Sequence, residues 1–268
     1  MPEGDTLHNL AARLHAQLTG RVIRAAIARE SGIERGLVGA SIVATGAVGK
    51  NLLLRLSDSS VLRVHLGMQG EWRTSPRQRG GAAIDPMLSL RLDTDEHRHT
   101  LIRAKHLERL ALADLARHPS LSRLGPDLCL PTVDFELVVS RARALGPDVA
   151  VAQLLMDQRP ACGVGNVYKN EALFCERIHP ATPAGALADD ALRRLYLRAH
   201  TLLRHNLHPG VRSTTGRAEP RTWVYERAGR SCLVCGGAIT AYEDPVDQRW
   251  TWWCPTCQPL PHRSGTSA

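Results

Sequence analysis

Leu7, Leu10, Leu14 and Leu18 recur at helical spacing, with polar His8, Asn9, Arg13 and Gln17 between them. The spacing predicts an amphipathic helix over about 5–19, which Gly20 can end. Short β-rich runs follow at 21–28, 41–48, 52–56, 61–66, 87–92 and 100–104, separated by Gly, Asp, Ser and Pro. Many short strands without alternating helices predict a β-sandwich or barrel. Within this half, Arg73–Pro86 reads as a basic, Gly- and Pro-rich loop, expected to be mobile.

The pattern changes after about residue 114. Leu124-Gly125-Pro126-Asp127 ends a connecting stretch, and helical periodicity then predicts helices over 134–144, 149–156, 167–177 and 189–206. In the last of these, Leu192, Leu195, Tyr196, Ala199 and Leu203 share one apolar face. The turn Ala161-Cys162-Gly163-Val164-Gly165-Asn166 precedes the third helix. A Gly-rich turn opening a helix presents free backbone N–H groups that suit a phosphate, although a tight helix–helix turn uses the same residues. Val211–Thr222 is a polar loop. Near the C-terminus, 238–242 and 249–253 read as a hairpin turned by Glu243-Asp244-Pro245, and residues past Pro259 as a disordered tail.

That hairpin lies between Cys232, Cys235, Cys254 and Cys257, a C-x2-C pair followed by a second C-x2-C pair. Four thiolates in two tight pairs match the ligand set of one structural Zn2+, and an all-thiolate site leaves no open position for chemistry. Two disulfides are the competing reading. The N-terminal Met-Pro-Glu-Gly-Asp is no signal peptide, and a chain of 268 residues needs no staples, so zinc is preferred. Cys129, Cys162 and Cys175 read as free thiols of a reducing cytoplasm. His205 and His208 have H-x2-H spacing but no accompanying cysteine or carboxylate, and read as surface or packing residues.

A formal charge of +8 with pI near 9.5, beside a zinc ribbon, points to a nucleic-acid partner. No apolar run is long enough to span a membrane. The expectation is a cytoplasmic monomer. Pro2 becomes terminal once Met1 is removed, and a terminal amine titrates near pH 8, so much of it is nucleophilic at neutral pH. Such an amine can form an iminium with a sugar aldehyde carbon, with Glu3 beside it as proton donor or acceptor. The same residues also fit an ordinary chain start.

Several segments decide between these. Met1-Pro2-Glu3-Gly4, Gly49-Lys50, His65-Leu66-Gly67-Met68, Leu124-Gly125-Pro126-Asp127, Gly163-Val164-Gly165-Asn166-Val167-Tyr168, Asn170-Glu171-Ala172-Leu173-Phe174 and the finger ending Cys257-Gln258 occur in one order. With them the chain resembles the Fpg/Nei family of bifunctional DNA glycosylases from Pro2 to Gln258, nearest the bacterial endonuclease VIII branch. The resemblance implies an α+β architecture: an N-terminal helix with a β-sandwich over 1–114, a hinge over 115–130, a helix–two-turn–helix domain over 131–222, a zinc finger over 223–260 and a tail over 261–268. It implies damaged DNA as partner and base excision repair as the activity.

Roles follow residue by residue from the resemblance. Pro2 would attack C1′ of the damaged nucleotide and form a Schiff base, with β- then δ-elimination after it. Glu3 would move protons, and Lys50 would contact a phosphate near the lesion and assist. Asn166 and Arg249 would hold backbone phosphates, Glu171 would help order the site, and Met68 would fill the space left by the everted base. Read without the resemblance, Lys50 is a solvated strand end, Met68 is core and Asn166 is an N-cap. Arg249 would pair with Asp244 or Asp247, and Glu171 would be a surface helix residue.

Three departures matter. Thr6 stands where the better-known branches carry glutamate. Arg103-Ala104-Lys105-His106-Leu107-Glu108-Arg109 replaces an Arg-Arg-Phe-Gly void-filling loop, and Ala152 takes the place of a phosphate-binding lysine. These argue against a dedicated 8-oxoguanine enzyme; the resemblance to the endonuclease VIII branch implies oxidised pyrimidines, with an Fpg-type 8-oxoguanine or formamidopyrimidine glycosylase as the alternative. A non-catalytic zinc-ribbon nucleic-acid-binding protein is the reading from another class.

Overall fold

The helix announced by the leucine spacing is α1, Gly4–Leu18, and it buries Leu7, Leu10, Ala11, Leu14 and Leu18. They enter the core of a sandwich of two four-stranded antiparallel sheets. One sheet has the order β2 (Ile42–Val48), β3 (Asn51–Leu56), β4 (Ser60–His65), β8 (His106–Ala111). The other runs β1 (Ala25–Ala28), β6 (Leu88–Asp93), β7 (His97–Ile102), β5 (Glu71–Pro76). Period-two alternation aims Leu52, Leu54, Leu62 and Val64 from the first sheet at Leu90, Leu92 and Leu101 from the second. The computed structural model describes residues 2–30, 32–77 and 85–260. The proposed tail at 261–268 and the middle of the loop read at Arg73–Pro86 lie outside the described residues.

Two strands correct the sequence reading. Glu71–Pro76 is β5, where the pattern suggested the start of a loop, and His106–Ala111 is β8. Each is the last strand of its sheet, so one face packs on the core and one long edge does not. Trp72 and Leu107 are the core residues they supply, and most of their other positions, Glu71, Arg73, Thr74, Ser75, His106, Glu108 and Arg109, are polar.

A second compact unit begins at Arg123. It holds α2 (Phe135–Arg143), α3 (Val151–Met156), α4 (Asn166–Cys175) and α5 (Asp189–His205). Their core gathers Leu154, Leu155, Tyr168, Ala172, Leu173, Leu195, Tyr196, Ala199 and Leu203. The Leu124–Asp127 segment is stitched alongside the Gly-rich turn: Gly125 N–H donates to Gln158 O at 2.9 Å and Leu128 N–H to Cys162 O at 3.0 Å. Gly125 is required there, because a Cβ would lie 2.3 Å from Pro160 O. The unit ends in a ribbon, β9 (Thr240–Glu243) antiparallel to β10 (Trp250–Trp253), over a small core of Phe174, Val224, Cys232, Ile239 and Cys254.

Candidate functional site

The site residues divide between the two units. In the first, Glu3 is the N-cap of α1 with no exposed surface, and half-buried Pro2 directly precedes it. Glu3 and Thr6 form a reciprocal capping box, in which Glu3 N–H donates to Thr6 Oγ1 at 3.3 Å. Thr6 therefore performs the third-position capping role that glutamate commonly fills. The cap fixes the backbone of Pro2's neighbour, and the positive end of the helix dipole favours a carboxylate there.

Lys50 sits with Gly49 in the turn joining β2 to β3, and Gly49 takes the positive φ of 54° that the hairpin turn requires. Register places Asn51 opposite His65, and His65 opposite His106, so turn, β4 end and β8 start share one sheet end. His65 Nδ1 accepts from Gly67 N–H at 3.1 Å, which leaves the proton on Nε2. Burial, then Lys105, Arg63, His106 and Lys50, push its pKa down to about 4, so the ring is neutral at pH 7 and offers Nε2–H as a donor. His65, Lys105 and His106 carried no role in the sequence reading. The signal for them is register, which the sequence alone does not supply.

Met68 is 67% exposed at the tip of the turn after β4, where apolar patterning alone would bury it. Its neighbours explain the display. Gly67 has φ +69° and a Cβ there would approach Lys105 Cβ to 2.8 Å; a Cβ at Gly70 would lie 2.2 Å from Leu66 O. Buried Leu66 anchors the turn from below. Between β7 and β8 the connection is Arg103–Lys105, so among the described residues no long loop projects there.

In the second unit, α4 buries polar side chains along most of its length and uses them to hold β10. Asn166 Nδ2 donates to Trp250 O at 3.0 Å, Lys169 Nζ to Thr251 Oγ1 at 2.8 Å, and Trp252 N–H to Asn170 Oδ1 at 2.8 Å. Three successive residues of the strand are thus tied to one helix. Asn166 is the first helical residue and Gly165 the N-cap, so Asn166 is not the cap that its residue type suggests. Its Oδ1 is buried with no hydrogen-bond partner among the described residues.

Glu171 departs most from expectation. The resemblance gives it a role in ordering a DNA-binding site and the residue type alone a surface position, but it is fully buried. Its oxygens accept from Thr214 Oγ1, from Trp223 N–H at 2.7 Å, and from Val224 and Tyr225 N–H at 2.9 Å each. Burial pushes its pKa up while these four donors pull it down. The carboxylate pins the segment that leads into the ribbon. That segment closes on itself: Thr214 N–H donates to Arg221 O at 2.8 Å.

Arg249 precedes β10 on the hairpin loop. Its backbone N–H donates to Asp247 Oδ1 at 3.0 Å, and its Nε lies 3.7 Å from Asp247 Oδ2, a long ion-pair contact.

The four cysteine sulfurs lie within 4.8 Å of one another. Cys232 Sγ is 3.9 Å from Cys257 Sγ, and Cys235 Sγ 3.4 Å from Cys254 Sγ. Disulfides need about 2.0 Å, whereas a tetrahedral ion at about 2.3 Å from each sulfur separates its ligands by about 3.8 Å. The residues therefore fit one such ion. Gln258 Oε1 accepts from Cys254 N–H at 3.0 Å, and its Nε2 donates to Ile178 O at 2.8 Å, so it locks the second knuckle to the turn that follows α4. Its place after the last cysteine was visible in the sequence; its partner was not.

Residues 1–118 match the family model of the formamidopyrimidine-DNA glycosylase N-terminal domain, and residues 124–217 that of the formamidopyrimidine-DNA glycosylase H2TH domain. This chain belongs to the formamidopyrimidine-DNA glycosylase family. Within that family it is 36% identical over 273 residues to a probable endonuclease 8 2 of Streptomyces coelicolor, covering 99% of this chain and 97% of the relative. It is also 36% identical over 265 residues to a DNA-(apurinic or apyrimidinic site) lyase Nei2 of Mycolicibacterium smegmatis, covering 96% and 99%. The fold matches the formamidopyrimidine-DNA glycosylase of Lactococcus lactis bound non-covalently to DNA containing an AP site, with TM-score 0.84 and 21% identity over 96% of this chain and 100% of that one. Among the described residues, no helix is long and apolar enough to cross a membrane.

Proposed function

We propose that the chain is a bifunctional DNA glycosylase and AP lyase of base excision repair that removes oxidised pyrimidines. The observation that carries this is Pro2 set directly before a buried, helix-capping Glu3. In the proposed reaction the Pro2 nitrogen attacks C1′ of the damaged nucleotide. The bond from C1′ to the base breaks, the base leaves with a proton, and an iminium joins protein and sugar. Glu3 delivers and removes protons at the sugar as the ring opens. Loss of a C2′ proton then expels the 3′ phosphate, and a second elimination expels the 5′ phosphate.

Lys50, with His65 as a neutral donor, and Arg249 hold phosphates beside the extruded nucleotide, and exposed Met68 enters the vacated stack. Asn166 and Glu171 act one step back, through the ribbon strand and the loop they hold. We assign one Zn2+ to Cys232, Cys235, Cys254 and Cys257, where it stabilises the ribbon. The preference for pyrimidines rests on the short, self-closed Val211–Thr222 segment, which offers few contacts to a purine edge. Oxidised pyrimidines also stack poorly and cost less to extrude.

Borohydride trapping tests the chemistry. Reduction should freeze a protein–DNA adduct on abasic DNA, Pro2→Gly should weaken it, and a blocked N-terminus should abolish it. Undiminished trapping with a blocked N-terminus would move the nucleophile to a lysine. Single-turnover rates on matched duplexes should run abasic site first, then thymine glycol or 5-hydroxyuracil, well above 8-oxoguanine opposite cytosine. Equal rates for thymine glycol and 8-oxoguanine would overturn the pyrimidine assignment.

A further inference from the structure

Side chains alternate along β10, so Trp250 and Trp252 share one face while Thr251 and Trp253 share the other. The second face is occupied. Thr251 is fully buried against Lys169, and Trp253 packs edge-on against His179 at 5.5 Å and Tyr242 at 5.3 Å. The first face is covered at Trp252, which packs against the small core of Phe174, Val224, Cys232, Ile239 and Cys254, and is open at Trp250. Trp252 lies 4.7 Å from the Tyr225 ring and 6.4 Å from Trp250, with the two indole planes 33° apart. Across the strand pair stand Ala241, too small to cover Trp252, and Glu243, opposite Trp250. Trp250 is left 51% exposed.

Its setting selects the occupant. Arg249 is the preceding residue, so a DNA strand whose phosphate it holds runs past this end of the ribbon. Glu243 beside the indole disfavours a phosphate on the ring itself, while a base, which is uncharged, can lie there. Three rings in line, two of them half-covered, make a strip rather than the broad patch a protein partner requires. A paired base hides its faces within the duplex stack, so the base that can use this strip is an unpaired one.

We propose that Trp250, backed by Trp252 and Tyr225, is a stacking platform for an unpaired nucleobase next to the phosphate held by Arg249. It extends the substrate range to single-stranded and bubble DNA, and it rests on the reading of Arg249 as a phosphate ligand.

The test uses the zinc-loaded full-length chain with a short lesion-free oligonucleotide, single-stranded or annealed to its complement, over a salt series. Trp250→Ala should weaken single-strand binding about tenfold relative to duplex binding. The slope of log K against log salt should not change, because no phosphate contact is lost. Trp250→Leu keeps apolar bulk without a flat ring and should behave like the alanine variant, while Trp250→Phe should retain most of the affinity. Zinc content and melting temperature, read on each variant, identify a folding defect. Unchanged single-strand affinity, equal loss on both DNA forms, or a slope shallower by one phosphate would each overturn the platform. Nicking of an abasic duplex by the unmodified chain reports separately on the lyase reading, which can fail or stand without changing the oligonucleotide result.

Discussion

Removing the Glu171 side chain tests how the ribbon is attached. Glu171→Ala strands four buried donors at once, the Thr214 hydroxyl and the N–H groups of Trp223, Val224 and Tyr225. An unsatisfied buried donor costs about 1–3 kcal/mol, but the loop can relax and admit water, so the net loss should be about 4 kcal/mol rather than the full sum. One effect opposes this: burial already disfavours the carboxylate, which is why its pKa is raised, and deleting the charge removes that penalty. Glu171→Gln separates the two effects. It restores one acceptor oxygen but turns an NH2 group toward N–H donors, so it should recover part of the loss and not all of it. For a unit of this size, 4 kcal/mol corresponds to a melting shift of about 10 °C. Urea unfolding followed by tryptophan emission is suitable, since Trp223 stacks on Phe174 at 5.6 Å and donates from Nε1 to Thr214 O at 3.1 Å. An alanine variant within about 1 kcal/mol of the parent would refute the reasoning, as would a glutamine variant more stable than the parent.

Cys254→Ser should release zinc and abolish DNA binding together, because the ribbon core of Val224, Ile239 and its cysteines is too small to stand without metal; full binding by metal-free protein would remove the ribbon from the mechanism. Arg249→Ala should weaken binding to every lesion about equally, and should flatten the salt dependence by about one phosphate's share. Selective loss of one lesion would show instead that Arg249 reads the base. His65 and His99 are both held at pKa values of about 4 by burial and neighbouring positive groups, below the ordinary 6.5. The unfolded chain therefore takes up these protons first, so stability is full above about pH 6.5 and falls as pH drops toward 4. Melting temperatures at pH 7.5 and 5 should show that fall, and His99→Gln should lessen it; an identical pH slope in the variant would exclude His99 as a source.

The elements that the sequence revealed are those with one dry face and one wet face. Leu7, Leu10, Leu14 and Leu18 mark α1 because its other side meets water, and the same holds for α5. Edge strands β5 and β8 escaped because they supply few core residues between polar neighbours. Helix α4 misled for the opposite reason. Asn166, Lys169, Asn170 and Glu171 look like a solvated face, yet they are buried and matched to strand and loop partners far along the chain. Such polar pairs leave no periodic trace in either segment alone. The cysteine quartet was legible because ligand spacing is itself local, whereas the placement of Met68 depended on Gly67 meeting Lys105 from the connection between β7 and β8.

The three ties from α4 to β10 bear on how this chain could be recombined with its relatives. A small metal-bound finger at the end of a polypeptide invites treatment as an interchangeable cartridge. Here its docking address is written in the helix, at residues 166, 169 and 170, and read by residues 250, 251 and 252. A donor finger grafted without the matching helix would arrive with its metal intact and its address unreadable, leaving Asn166, Lys169 and Asn170 facing groups that do not answer them. Helix and finger are one unit of exchange, and a viable graft boundary lies upstream of the Gly-rich turn rather than at the first cysteine.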